Sequence, residues 1–164
     1  AFAGTGKHQV EVGGWTVRFP EGWGAPTQAV AIDSLKAWKD LGLGDEASAF
    51  SGTATYETTL SLPASLVGKD LVLDLGKVDF IADVKVNGSP VGVLWTAPYR
   101  LPVKGLLHEG ENTLTIEVTG TWYNRLAYDA AQEESQRKTW TINGPAPGSP
   151  LRESGLMGPV VLRY

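Results

Sequence analysis

Cysteine is absent from the 164-residue sequence. The chain therefore has no disulfide framework, no thiolate ligands for zinc or an iron–sulfur cluster, and no cysteine nucleophile. Histidine is nearly absent as well, since only His8 and His108 occur, and neither lies in a metal-binding or catalytic motif. We interpret both as surface histidines, and we expect the protein to require no cofactor.

An excess of positive charge is also missing. The sequence has 14 Lys and Arg against 18 Asp and Glu, for a formal net charge of -4, and it contains no basic block. Nucleic acids and anionic lipid surfaces select clustered positive charge, so we expect neither as a partner. The apolar runs are a handful of residues long, far short of the roughly 20 that a membrane-spanning helix needs.

Alternation of apolar and polar residues is the main structural signal. In residues 53–62, Ala54, Tyr56 and Leu60 fall on one face of a predicted strand and polar residues fall on the other. A final strand is predicted at 160–162. The same spacing predicts further sets of side chains that each point one way along a strand: Trp15, Val17 and Phe19; Leu71, Leu73 and Leu75; Ala82, Val84 and Val86; Val91, Val93 and Trp95; Leu114, Ile116 and Val118.

Short turn segments separate these runs, at 66–69, 87–88 and 109–112. Helical spacing is scarce: residues 34–41 fit two helical turns, and residues 128–138 fit either a polar helical turn or a loop. Many short strands joined by short turns are typical of antiparallel sheets. We therefore predict an all-β fold, an antiparallel β-sandwich of the jelly-roll kind with about eight strands.

The sequence offers no place to divide the chain. It has no internal repeat, no low-complexity tract and no Ser/Gly linker. We predict a single domain over residues 1–164, in which long segments at 20–50 and 120–158 wrap the ends and edges of the sandwich.

One nucleotide-binding pattern occurs, because Gly42, Gly44 and Ala47 satisfy G-x-G-x-x-A. A helical rather than a strand pattern precedes it, and Asp45 and Glu46 would stand where a pyrophosphate needs bare backbone N–H groups. We interpret the segment as a glycine-rich loop.

Paired carboxylates are the signature of glycosidases, and Asp129, Glu133 and Glu134 are candidates. The surrounding stretch is polar throughout, which favours a solvated face or loop. A small glycosidase in its own right remains the third hypothesis, and it requires that one of these carboxyl groups have a raised pKa.

Tryptophan is the most informative residue type. Trp23, Trp38, Trp95, Trp122 and Trp140 all fall in predicted loops. A sugar ring presents apolar C–H faces and a rim of hydroxyl groups, so a sugar site needs flat aromatic rings beside Asn, Asp or Arg side chains.

Two clusters have this mixture, one at residues 95–100 and one at 122–125 with Asp129. The alternative is that the rings pack beneath loops as additional core and that Arg125 and Asp129 form a structural ion pair. The candidate carbohydrate-binding residues are Trp95, Tyr99, Arg100, Trp122, Tyr123, Asn124, Arg125, Asp129 and Trp140.

Residues 51–164 resemble a known family through the runs GTATYETTLSLP, LVLDLGKVDFIADVKVNGSPVGVLWTAPYRLPV, GENTLTIEVTGTWYNRLAYD, TWTINGP and SGLMGPVVL. They are similar to the C-terminal galactose-binding-like β-sandwich of large bacterial glycoside hydrolases. The resemblance is to the module that ends family 106 α-L-rhamnosidases and, more distantly, to the sugar-binding domain of family 2 enzymes. It makes residues 1–50 a lead-in segment that wraps the sandwich and residues 51–164 the core of the module.

The resemblance implies an accessory module whose catalytic barrel is a separate domain. It implies an extracellular or periplasmic location, and it leaves open a structural calcium ion near a sheet edge. The first hypothesis is therefore a noncatalytic carbohydrate-binding module for plant or algal polysaccharide that contains rhamnose or galactose. The second is a structural module whose aromatic residues dock onto the catalytic domain of the parent enzyme.

Overall fold

The structure is a computed structural model and describes residues 8–164. This part of the chain contains two α-helices, α1 (Asp45–Ser48) and α2 (Tyr123–Ala130), and short 3-10 turns at Trp38–Asp40, Ala64–Leu66 and Glu134–Gln136. Its twelve strands are β1 (Gln9–Glu11), β2 (Trp15–Arg18), β3 (Val30–Ile32), β4 (Thr53–Leu62), β5 (Val72–Asp74), β6 (Lys77–Asp79), β7 (Ile81–Val86), β8 (Ser89–Leu94), β9 (Arg100–Pro102), β10 (Gly110–Thr119), β11 (Gly155–Gly158) and β12 (Val161–Arg163).

A six-stranded sheet in the order β3-β2-β4-β10-β7-β8 forms the larger layer. At its centre, β4 and β10 pair antiparallel over ten residues each, from Leu62 opposite Gly110 to Thr53 opposite Thr119. The alternation in 53–62 sets this register, because a slip of one residue would turn every buried side chain to solvent. The strand predicted there is confirmed at its bounds.

A four-stranded sheet in the order β1-β12-β5-β9 and a two-stranded sheet of β11 and β6 complete the architecture. The strands in all three sheets pair antiparallel. One apolar core runs from Val12 to Leu162 and draws side chains from both larger sheets. The predicted all-β, antiparallel β-sandwich is therefore confirmed. Strands β1 to β3, from the first 50 residues, are part of these sheets.

The prediction that Val91, Val93 and Trp95 share one face of a strand is wrong. In β8, Gly92 and Leu94 lie opposite buried residues of β7 and so occupy the side that faces the core. The pairing of β7 with β8 shifts register partway along, and Val91 also packs against the core. Val93 and Trp95 are instead 56% and 71% exposed.

The helix expected over residues 34–41 is reduced to the single 3-10 turn that begins at Trp38. Trp38 is not a loop aromatic available to a ligand, since it is fully buried and its indole Nε1 donates a hydrogen bond of 2.7 Å to the hydroxyl of Tyr56. Burial of this indole therefore anchors the segment against β4.

One end of the six-stranded sheet carries two of the candidate segments. Strand β10 ends at Thr119, where β4 and β7 begin, and β8 ends close to the same level, at Leu94. Trp95 and Trp122 therefore both follow strands that finish at the same end of the sheet. The longest helix of residues 8–164 has eight residues, so none of the described helices can cross a membrane.

Candidate functional site

Helix α2 carries a buried ion pair between Arg125 and Asp129, whose four-residue spacing places both on one helix face. The guanidinium Nε and Nη2 of Arg125 donate to the two carboxylate oxygens of Asp129 at 3.0 and 2.6 Å. Both side chains are 1% exposed. The third arm of Arg125 reaches Glu46 in the neighbouring helix α1, with 2.7 Å between Nη1 and Oε1. The bond from Arg125 to Glu46 thus links α2 to α1.

The carboxyl group of Asp129 is held in its charged form. Burial alone would raise its pKa, but the hydrogen bonds from Arg125 and Thr139 outweigh burial and lower the pKa. Asp129 therefore does not supply the raised pKa that the glycosidase hypothesis requires of one of its carboxyl groups. Its proposed partners Glu133 and Glu134 are exposed.

Asp129 also holds the loop that follows α2. Its Oδ2 atom accepts hydrogen bonds from the backbone N–H groups of Lys138 and Thr139, at 3.1 and 2.7 Å, and from the Thr139 hydroxyl at 2.7 Å. The ammonium group of Lys138 in turn donates to Glu46 and to the carbonyl of Gly22, each at 2.8 Å. The segment that leads into Trp140 is therefore fixed from two sides.

Trp140 stands at a groove of about 200 Å³ between α2 and the loop. Leu126 and Ala130 of α2 contribute one wall of the groove, and Arg137, Trp140, Ile142 and Pro145 are among the loop residues that line the rest. Trp140 is 75% exposed. The groove is smaller than the roughly 300–1,000 Å³ of a site for a drug-sized ligand.

Trp122 immediately precedes α2 and packs edge-to-face against Trp23, with 4.8 Å between ring centroids. The guanidinium of Arg125 lies 5.9 Å from the Trp23 ring centroid and 5.2 Å from that of Tyr128. Trp122 nevertheless remains 44% exposed. It is therefore a supported ring with part of its surface open to solvent.

Tyr123 and Asn124 are engaged within the protein. The guanidinium of Arg152 lies over the Tyr123 ring at 3.6 Å from its centroid and covers that face. The side chain of Asn124 accepts from the backbone N–H of Arg152 and donates to its carbonyl, both at 2.8 Å. Asn124 is buried, so it holds residue 152 in place and has no open edge for a hydroxyl group.

The predicted cluster at residues 95–100 does not form one surface. Tyr99 is buried, and its hydroxyl donates to the carbonyl of Phe80 at 2.7 Å. Arg100 donates from Nε to Asp74 at 2.8 Å, a bond that joins β9 to β5. Of this cluster, Trp95 alone has a freely exposed aromatic ring.

The structure thus divides the nine predicted site residues into two groups. Exposed rings are Trp95, Trp122 and Trp140, whereas Tyr99, Asn124, Arg125 and Asp129 are buried and Tyr123 and Arg100 are engaged with protein partners. The structural ion pair of Arg125 and Asp129, the alternative drawn from sequence, is present. Binding of sugar by any of the nine stays a prediction.

Sequence reasoning missed Glu46, Arg137 and Lys138. The spacing of Arg125 and Asp129 is a helical signal that could have indicated α2, but Glu46 is 79 residues from Arg125 along the chain and no local pattern links them. Residues 8–164 bring together no group of three or more His, Cys, Asp and Glu side chains that could hold a metal ion. The calcium site therefore remains an expectation without assigned ligands.

The sequence matches the family model described as glycosyl hydrolase 2 galactose-binding domain-like over residues 41–156. A protein of Formosa agariphila named "Putative beta-glucuronidase" is 42% identical over 119 residues, which are 71% of this chain and 10% of that protein.

Solved structures show the same fold. A rhamnosidase from Novosphingobium sp. PP1Y superimposes with a TM-score of 0.82 at 36% identity, over 99% of this chain and 16% of that one. The beta-D-glucuronidase of Dictyoglomus thermophilum has a TM-score of 0.68 at 18% identity, over 97% of this chain and 28% of that one. The chain thus spans about a tenth to a third of each relative. The resemblance to a galactose-binding-like module of glycoside hydrolases is confirmed.

Proposed function

Because this chain belongs to the glycosyl hydrolase 2 galactose-binding domain-like family, we propose that it is a noncatalytic carbohydrate-binding module of a larger glycoside hydrolase. The module recognises sugar and leaves bond cleavage to a separate catalytic domain of the parent enzyme. The exposed indole of Trp140, at a groove of about 200 Å³, is the observation that carries the proposal.

The chemistry of the groove suits a pyranose. The flat indole offers a stacking surface for the C–H face of the ring, and Arg137 and Thr141 supply polar groups for hydroxyl oxygens. The Arg125–Asp129 pair does not touch the sugar in this proposal. Its role is to fix the backbone of residues 138 and 139, which lead into Trp140, so that less backbone freedom is lost on binding.

The exposed portion of Trp122, next to α2, offers a second ring for stacking, and Tyr123 and Asn124 fix the segment that carries it. A shallow site of this kind desolvates few groups, so the expected dissociation constants lie at about micromolar to millimolar.

The ligand class is plant or algal polysaccharide with rhamnose or galactose units. The rhamnosidase that shares 36% identity and the whole of this fold supports a rhamnose-containing substrate for the parent enzyme. Such polysaccharides are met outside the cytoplasm, so the location proposed for the module is extracellular or periplasmic.

A second candidate function, docking onto the catalytic domain, is favoured by a different surface. Val93 and Trp95 project from the edge strand β8, and Phe80 at the start of the neighbouring β7 is 50% exposed. Exposed apolar side chains grouped at a sheet edge are typical of a contact surface. The two functions are compatible because they use Trp140 and Trp95 respectively.

Calorimetry with rhamnose- and galactose-containing oligosaccharides tests the first function. We expect binding that Trp140→Ala reduces at least tenfold and that Trp140→Phe largely retains. Trp95→Ala is the matched control, since it removes an equally exposed indole elsewhere and should leave sugar affinity unchanged. Absence of heat with every sugar at millimolar concentration would refute sugar recognition, and loss of binding in Trp95→Ala alone would move the site to β8.

A further inference from the structure

Among the described residues that line the Trp140 groove, Arg137 is the only charged one. Its Nε atom donates to the carbonyl of Gln132 at 3.0 Å, which fixes the inner edge of the guanidinium group. No carboxylate in the described part of the chain forms an ion pair with it. A cation held on one edge, with its two terminal nitrogens unpaired by protein carboxylates, lies beside the exposed indole.

Two carboxylates that hold the loop, those of Asp129 and Glu46, are paired with cations. Asp129 is paired with Arg125, and Glu46 is paired with both Arg125 and Lys138. The ammonium group of Lys138 is directed to Glu46 and Gly22, so it does not add to the charge of the groove. The exposed Glu133 and Glu134 precede Arg137 in the chain but do not line the groove, so Arg137 is the lining residue that can pair with an anion.

We propose, on the basis of the sugar-binding function above, that the groove selects a sugar that carries a carboxylate, with Arg137 as the specificity-determining residue. The indole of Trp140 stacks on the ring, and the planar guanidinium donates two parallel N–H groups to the carboxylate on carbon 6. Guanidinium and carboxylate match in this bidentate geometry, whereas a neutral hydroxymethyl group accepts at most one such bond.

The proposal is tested by comparing two ligands that differ only at carbon 6, methyl glucuronide and methyl glucoside, by calorimetry on the intact chain. We expect the glucuronide to bind about fivefold more tightly in low salt, because Arg137 is exposed and the pairing is partly screened. The preference should shrink in 0.5 M NaCl.

Three variants locate the preference. Arg137→Gln should bind the two ligands equally, while Trp140→Ala should weaken both together. Arg18→Gln is the matched control. Arg18 is also exposed but lies on β2 outside the groove, and its substitution changes the net charge by the same amount as Arg137→Gln. It should keep the fivefold preference.

The outcomes separate this proposal from the function on which it rests. If the wild type binds glucuronide and glucoside equally and Trp140→Ala binds neither, the carboxylate preference is overturned and sugar recognition stays intact. No binding of either ligand, or of the neutral oligosaccharides, overturns both. A third outcome is that the protein prefers galactose 6-sulfate to galactose but does not prefer glucuronide to glucoside. That result would overturn the carboxylate assignment in favour of a sulfated sugar.

Discussion

The carboxylate of Asp129 accepts hydrogen bonds from both the backbone N–H and the hydroxyl of Thr139, each at 2.7 Å. One buried side chain of α2 therefore fixes the loop residue directly before Trp140. An acidic residue that the sequence offers as a catalytic or sugar-binding group is instead a support for the exposed ring beside it.

Removal of the charge of Asp129 should strongly destabilise the fold. Asp129→Asn places an amide donor against the guanidinium of Arg125 and leaves a buried cation with one carboxylate fewer. Breaking one partner of a buried pair costs about 3–5 kcal/mol, so we expect that loss in urea unfolding at pH 7. Asp70→Asn is the control, because the Asp70–Lys104 pair is largely exposed and should cost less than about 1 kcal/mol. Equal effects of the two substitutions would contradict the anchoring role.

Acid should weaken the same anchor. In the folded protein the hydrogen bonds from Lys138 and Arg125 lower the pKa of Glu46 below its ordinary 4.5. For Asp129 the bonds from Arg125 and Thr139 outweigh burial and lower the pKa below 3.8. Stabilisation from a lowered pKa is present above the unfolded value and is lost as the pH falls through the folded one.

We therefore expect the free energy of unfolding to fall as the pH drops below about 4.5, measured by urea unfolding between pH 7 and pH 3. The decline should be shallower in Asp129→Asn, which no longer has that carboxylate to protonate. A decline of the same steepness in both proteins would assign acid sensitivity to other groups.

Asp79 should behave in the opposite sense. Burial raises the pKa of this carboxyl group above 3.8, and the charge of Glu153 raises it further, against the hydrogen bond from Ser154. Because the folded state disfavours the charged form, Asp79→Asn should raise the free energy of unfolding at pH 7. The gain should disappear near pH 3, where the wild-type carboxyl group is protonated. Lower stability of the variant at pH 7 would show that the charge of Asp79 is needed.

The hydroxyl of Tyr56 joins two segments of the core. It accepts hydrogen bonds from the indole of Trp38 at 2.7 Å and from the backbone N–H of Leu156 at 3.2 Å. Tyr56→Phe leaves both donors buried without an acceptor, so we expect a loss of about 1–3 kcal/mol in thermal or urea unfolding. Tyr164→Phe, at the exposed end of the chain, is the control and should change stability by less than about 0.5 kcal/mol.

Burial also raises the pKa of Tyr56 to about 12. In a pH titration followed by ultraviolet absorbance, this tyrosine should ionise only near pH 12 or as the protein unfolds. Early ionisation that is absent in Tyr56→Phe would contradict the buried position.

The sheet could be predicted from sequence where one face of a strand is buried and the other is wet. Ala54, Tyr56 and Leu60 are all buried in β4, because alternation and burial coincide there. Prediction from alternation failed in β8, an edge strand with a register shift. Val93 in this strand and Trp95 just after it are apolar but exposed. Edge strands bury less of either face, so alternation of apolar and polar residues no longer predicts which side chains are buried.

The candidate site was predicted in composition but not in arrangement. The sequence offered a structural Arg125–Asp129 ion pair as the alternative to sugar contact, and that pair is present. Its near-complete burial was not predicted, because charged side chains are rarely buried unless paired. Arg125 can be buried because its charge is also paired with Glu46. That residue lies far from Arg125 in the sequence and contacts it only in the folded chain.

Sugar recognition by this module requires that the Trp140 indole contact the sugar. The most direct measurement follows the indole N–H signals of the six tryptophans by NMR while a rhamnose- or uronate-containing oligosaccharide is added. We predict that the Trp140 signal shifts most, with a smaller shift of Trp122, and that the buried Trp15 and Trp38 do not move. A Trp140 signal unchanged at saturating sugar would contradict the central claim.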